Sequence, residues 1–154
     1  MVSMTYPDTS FLCALYIAQS TSMKALAFMQ RQSTALMSTS LLFFEFRQSV
    51  QFQVFRNSND ATQGYPMRVA QAALSTLQAN ISAGVFRQGQ VDWADVHQIA
   101  ERLAFKHTVK GGHRSFDVLH VASALHLGAA EFLTFDGNQK KLAEAEGLVV
   151  PLKV

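Results

Sequence analysis

The stretch SFDVLHVASALHLGAAEFLTFDG, residues 115–137, decides the fold. Ser115 opens an apolar helix that stops at Gly128, and Glu131–Phe135 follows as a short strand leading into Asp136. Glycine just past the last helical residue is a common terminator, because it enters the left-handed conformation without a Cβ penalty. A helix feeding a solidly apolar strand is the unit of a parallel sheet covered by helices on both faces.

The elements on either side fit that frame. TVKGGHR, residues 108–114, is predicted to be a loop, and helices are predicted over 63–84 and 92–105, the second capped by Asp92 with Asp95 three residues on. Nearer the start, residues 3–7 form a short extended segment ending at Asp8, after which Thr9 or Ser10 caps a helix through LCALYIAQ. Pro7 removes a ladder donor there, which puts the length of that first strand in question. Ser22–Arg31 has Met23, Leu26, Ala27 and Phe28 at helical spacing. Residues 35–39 are a short apolar run, and Ser38-Thr39-Ser40 offers caps for a helix over 41–56. Beyond Asp136, a short helix runs to Glu146, Gly147 ends it, and Leu148–Leu152 is a last strand. No strand is predicted within 57–111, so that region reads as a helical insertion or cap within a single domain, 1–154. The expectation is a three-layer α/β/α domain with a four- or five-stranded parallel sheet.

The chain has 154 residues, the size of one ordinary domain. Hydrophobic residues make up 49%, twelve of them Phe, and charged residues only 16% against a usual ~25%. That surplus fills a large core or leaves an apolar surface for self-association or a partner. A net charge of +2 excludes the strong basic field of an architectural nucleic-acid binder, so any nucleic-acid contact must be local. With Cys13 alone, no intrachain disulfide forms. MVSMTYPDTSF lacks the pattern of a secretory signal, and no uncharged apolar run reaches ~18 residues, so the expectation is a soluble, cytoplasmic protein with no membrane partner.

In a parallel α/β sheet, ligands gather at the C-terminal ends of the strands. Asp8 and Asp136 directly follow strands, Asp117 lies in the first turn of the helix leading to the next strand, and Glu45 lies one turn into the helix after residues 35–39. Singly, each has a plain structural role open to it. Asp8 suits a helix cap, Asp117 the positive end of a helix dipole, and Asp136 with Gln139 a capping box. Glu45 fits such a role least, because it interrupts LLFFEF, and a buried carboxylate needs a partner or a metal. Four acids converging on one edge need a positive counterion, and an all-oxygen ligand set suits Mg²⁺ or Mn²⁺. A carboxylate-held divalent ion with several waters points to phosphodiester hydrolysis.

YPDTSFLCALY, TSLLFFEFRQS, RSFDVLHVASALHLGA and FLTFDGNQKKLA together resemble the four acidic motifs of PIN-domain proteins, most closely the VapC-type toxins of toxin–antitoxin pairs. The resemblance runs from about residue 4 to residue 152, and its most specific part is Asp117-x-Leu-His-x-Ala-x-Ala-Leu followed by a glycine, a strand and Thr134-x-Asp136. It implies that Asp8, Glu45, Asp117 and Asp136 are the catalytic and metal-site acids, with Thr9 and Thr134 as polar residues lining the site. It also implies an Mg²⁺- or Mn²⁺-dependent endoribonuclease, an RNA substrate, a homodimer and an antitoxin partner. Residues 57–90 match no motif of the family.

Lys106, Lys110 and Arg114, with His107 and His113, make a basic segment just upstream of Asp117, suited to RNA phosphates or simply to a solvated loop. Arg114 is the nearest of them to the acids. His120, three residues after Asp117, shares its helix face, and a packed or hydrogen-bonded histidine is the expectation over a metal ligand. The alternatives of other classes are a non-catalytic PIN-fold module binding RNA or protein, and a phosphatase built on Asp8-Thr9-Ser10. The latter lacks a second aspartate two residues after Asp8.

Overall fold

The computed structural model describes residues 3–154, so the sequence reading that begins at Met1 and Val2 lies partly outside the described residues. Four three-residue strands, all parallel, run through it: β1 (Thr5–Pro7), β2 (Leu36–Ser38), β3 (Phe86–Gln88) and β4 (Glu131–Leu133). They form two ladders, β1 with β4 and β2 with β3, and β1 lies directly against β2. The expected single four- or five-stranded sheet is thus interrupted between β1 and β2. Pro7 supplies the physical reason. The Asp8 amide reaches the Leu133 carbonyl on the β4 side at 2.9 Å, and successive amides of a strand point to opposite sides. Position 7 would therefore donate toward β2, and proline has no N–H to donate.

The helices are α1 (Thr9–Tyr16), α2 (Ser22–Arg31), α3 (Ser40–Asn59), α4 (Met67–Ser82), α5 (Trp93–Leu103), α6 (Val109–Gly111), α7 (Ser115–His126) and α8 (Gly137–Ala145). They fall into two groups, α1 packing on α2, α3 and α4, and α7 packing on α5 and α8. The core between them centres on Tyr6, Phe11, Phe46 and Phe132, all fully buried, with Tyr6 stacked on Phe132 at 6.0 Å between ring centres.

Three local expectations are corrected. Residues 57–111 contain a strand, β3, paired with β2, so the region is not purely helical. Residues 108–111 continue a helix instead of forming a loop, because α5 passes through a π-helical turn, Ala104–Thr108, into α6 before Gly112 breaks it in the left-handed conformation, φ 64°. The last strand reduces to an isolated parallel bridge between Glu131 and Val149. No helix among the described residues is long and apolar enough to cross a membrane.

Helix α8 is tied down at both ends by the segment that precedes α7. Just beyond its C-terminus, Glu146 accepts from Arg102 at 2.9 Å and Lys106 at 3.4 Å and lies 2.8 Å from His107 Nε2. Near its start, Asn138 donates to the Gly111 carbonyl at 3.0 Å. The segment 102–111 therefore lies along α8, with Phe105 and Val109 facing solvent.

Candidate functional site

Asp8 directly follows β1 and is the N-cap of α1, a role open in the sequence to Thr9 or Ser10 as well. Its Oδ1 accepts from the Phe11 amide at 3.0 Å and the Ser10 hydroxyl at 2.6 Å, and its Oδ2 accepts from the Thr134 hydroxyl at 2.5 Å. Those hydroxyls are oriented in turn, since Ser10 Oγ accepts from the Phe135 amide and Thr134 Oγ1 from the Asp136 amide. The carboxylate is buried, and among the described residues no cation touches it. Burial pushes its pKa up to about 6, against the pull of the Ser10, Thr134 and Phe11 hydrogen bonds and the more distant charge of His120. In the sequence, Ser10 stands out only as a candidate helix cap. Its signal is a hydroxyl two residues after a strand-ending acid, where it reaches both that acid and the neighbouring strand.

Asp136 caps α8 through the Gln139 amide, 2.9 Å from Oδ1, but only this half of the expected capping box forms, because the Asp136 amide donates to Thr134 and the Gln139 side chain turns to α7. Gln139, fully buried, extends its Nε2 to the Asp117 carbonyl at 3.0 Å and so ties the start of α7 to the start of α8. Asp117 carries an ion pair with Arg114, Nε to Oδ2 at 3.1 Å, and the Arg114 charge also reaches Asp136 and Glu45. Among the basic residues singled out from the sequence, Arg114 is thus placed with the acids. Lys106 is engaged by Glu146 instead, and Lys110 lies exposed on α6.

Glu45 emerges from α3, whose N-cap, Thr39, accepts from the Leu42 amide at 3.1 Å. The flanking Phe43 and Phe46 are buried, whereas Phe44 is exposed, so the apolar run wraps the helix and leaves Glu45 at the margin of the core. Its Oε1 lies 3.2 Å from His120 Nε2. Burial works to raise the Glu45 pKa, but the hydrogen bond and charge of His120, with the charge of Arg114, outweigh it and hold the carboxyl below its ordinary value. Arg47 packs over the Phe43 ring and does not serve Glu45. His120 is a buried, hydrogen-bonded residue, as expected.

Two chains of contacts therefore run through the four acids. One passes from Asp8 through Thr134 to Asp136 and on through Gln139 to Asp117. The other passes from Glu45 to His120, whose charge is felt at Asp8. Among the described residues, no three His, Cys, Asp or Glu side chains stand close enough to form a ready-made metal cage. The donor chemistry nevertheless suits a hard cation held in part through water. The candidates are all oxygens, Mg²⁺ typically keeps several waters and uses one or two carboxylates, and the buried Thr9 hydroxyl, close to Glu45, makes no hydrogen bond of ordinary geometry among the described residues.

Residues 5–145 match the family model for the PIN domain. A search of the curated proteins finds no match. Among solved structures, the fold is similar to that of Mycobacterium tuberculosis VapC20, described as a toxin that cleaves the sarcin–ricin loop. The two are 22% identical, the match covers 94% of this chain and 96% of that one, and the TM-score is 0.65.

Proposed function

The chain belongs to the PIN-domain family, and from that membership we propose that it is a metal-dependent endoribonuclease hydrolysing RNA phosphodiester bonds. The observation that carries the proposal is Asp8, a buried carboxylate fixed by three hydrogen bonds at a strand end and, among the described residues, without a cation in contact. Such a group is costly unless its function requires it, and strongly perturbed acids in a fixed setting mark functional sites. In this reading Asp8, Asp117 and Asp136 hold Mg²⁺ or Mn²⁺ directly or through water. Bound there, the ion would supply charge to the scissile phosphate and lower the pKa of a water.

The chain's own residues do the rest. Ser10 and Thr134 fix both oxygens of Asp8, and Gln139 fixes the spacing of Asp117 and Asp136. Arg114 offers its guanidinium to an RNA phosphate, with exposed Lys110 extending the basic face. Lys106 serves RNA only if Glu146 releases it. Glu45 orients the attacking water. A carboxyl held below its ordinary pKa is a weak proton acceptor, so orientation outweighs full deprotonation there.

Because the structurally similar VapC20 is described as a toxin cutting the sarcin–ricin loop, we extend the proposal to a type II toxin acting on structured RNA and silenced by an antitoxin. The test is cleavage of a panel of structured RNAs, a sarcin–ricin hairpin among them, with Mg²⁺ or Mn²⁺. EDTA and Asp117→Asn should each abolish cutting, and activity that survives both overturns the assignment. The lack of a preformed three-acid cage among the described residues favours one second reading, a non-catalytic PIN-fold module that binds RNA or protein. Titration with Mn²⁺ separates them, since a binding module has no need to take the ion at these acids.

A further inference from the structure

A polar chain crosses the core behind the acids. The Leu42 amide donates to Thr39 Oγ1 at 3.1 Å, Thr39 Oγ1 lies 3.1 Å from the Tyr6 hydroxyl, and that hydroxyl lies 3.1 Å from His120 Nδ1. On the far side of the ring, Nε2 meets Glu45 Oε1 at 3.2 Å. Tyr6, Thr39 and His120 are all essentially inaccessible to water, so every one of these contacts has to satisfy its donors and acceptors internally.

Counting protons fixes the direction of the chain. Tyr6 keeps its single proton, because burial drives its pKa far above the ordinary phenol value. Suppose that proton went to Thr39. A neutral His120 would then have to donate from Nδ1 to Tyr6 and present a bare Nε2 lone pair to an ionised carboxylate, leaving two acceptors in contact. If Thr39 instead donates to Tyr6, Tyr6 donates to Nδ1 and the Nε2–H donates to Glu45, so all three bonds are made. A doubly protonated ring would also donate from Nε2. With Glu45 ionised, every arrangement that satisfies these contacts has Glu45 accepting from Nε2.

We propose that His120 is the positioning residue of Glu45, with Tyr6 and the α3 cap Thr39 holding its ring so that Nε2–H fixes one carboxylate oxygen and leaves the other for the site. The inference rests on the assignment of Glu45 to the active site. His120 lies three residues after Asp117 on the same face of α7, so the hydrogen bond sets the position of an α3 acid relative to an α7 acid. Outer partners of this kind typically change activity by about 10–100-fold when removed.

The experiment compares His120→Leu, His120→Gln and Tyr6→Phe, each first checked for fold by circular dichroism and melting. In Mn²⁺-supported RNA cleavage, His120→Leu should lower kcat about 10–100-fold with KM little changed. His120→Gln, whose amide nitrogen reaches the Nε2 position, should recover most of the loss. Tyr6→Phe, which removes only the hydroxyl, takes the place of His120→Leu should that variant fail to fold. Independently of activity, long-range ¹H–¹⁵N spectra of the metal-free protein should show His120 protonated at Nε2, with Nδ1 losing its hydrogen-bond shift in Tyr6→Phe. A bare Nε2 in the wild type, or a folded His120→Gln as slow as His120→Leu, overturns the proposal. If the wild type cleaves no RNA, the ribonuclease assignment fails alone, and the spectra still decide whether His120 holds Glu45.

Discussion

Burying Asp8 in its ionised form works against folding, and the hydrogen bonds from Ser10, Thr134 and Phe11 offset only part of the cost. A carboxyl raised to about 6 in the folded protein binds its proton more readily there than in the unfolded chain. Its penalty is therefore complete above pH 6, shrinks as pH falls through that value, and is gone once both states are protonated. At about 1.4 kcal/mol per pKa unit, the penalty near neutral pH is on the order of 3 kcal/mol. Asp8→Asn should accordingly melt later than the wild type at pH 7.5 by about 2 kcal/mol in urea titrations without metal, with the gap closing toward pH 4. A mutant of equal or lower stability at pH 7.5 would contradict this. At this scale the sequence was informative where a charge breaks a pattern, as Glu45 breaks LLFFEF. It named Ser10 and Gln139 only in helix-cap roles and His120 only as a packed residue, and it did not show the bonds from Ser10 to Phe135 or from Tyr6 to His120, because partners that meet across more than a hundred residues leave no local spacing to detect.

Among the elements, α7, β4 and α8 were legible because each has its own start and stop residues within a few positions. Strand β3 was not. Only Phe86 of its three residues is buried, while Arg87 and Gln88 face outward, so no apolar run announces it. The π-helical turn was hidden for another reason. AFKHT holds no glycine or proline to mark a change of hydrogen-bond register, and the segment lies against α8. Glu146 is the holding residue, its side chain only 7% exposed against three basic partners. Its pKa lies below the ordinary value: burial raises it, but His107, Arg102 and Lys106 together outweigh that, so its stabilising contribution is present at neutral pH and fades on acidification through the carboxylate range. Glu146→Ala should cost about 1–2 kcal/mol, since the freed cations regain water, and amide exchange should quicken over residues 104–111 more than over α7. Uniform exchange across both would show that Glu146 does not act locally.

For the molecule as a whole, the scarcity of charge is resolved in two ways. Phe11, Phe43, Phe46, Phe86 and Phe132 fill the core, while Phe44, Phe52, Phe55 and Phe105 remain exposed. On α2, Phe28 is half-buried edge-on against Phe11, and Met23 and Leu26 face solvent. A homodimer or antitoxin contact at α2 is therefore better tested with Met23→Asp and Leu26→Asp together than at Phe28, which supports the core. The pair should stay folded and shift light scattering at micromolar concentration from dimer to the 17.0 kDa monomer. A wild type that is already monomeric rules out the homodimer that the family resemblance implies.

The pairing of Thr5 with Glu131, and of Asp8 with Thr134 across 126 residues, has a consequence during synthesis. Protein is made from its N-terminus, and contacts this distant in sequence form only after the intervening chain exists. While a ribosome is still short of codon 134, Asp8 has neither the Thr134 hydroxyl nor Asp136 beside it. Three of the four acids have then been made, but the fourth and the strand that aligns the first have not. The proposed ribonuclease would therefore have an incomplete site until the last strand is made, and its activity would appear only near release.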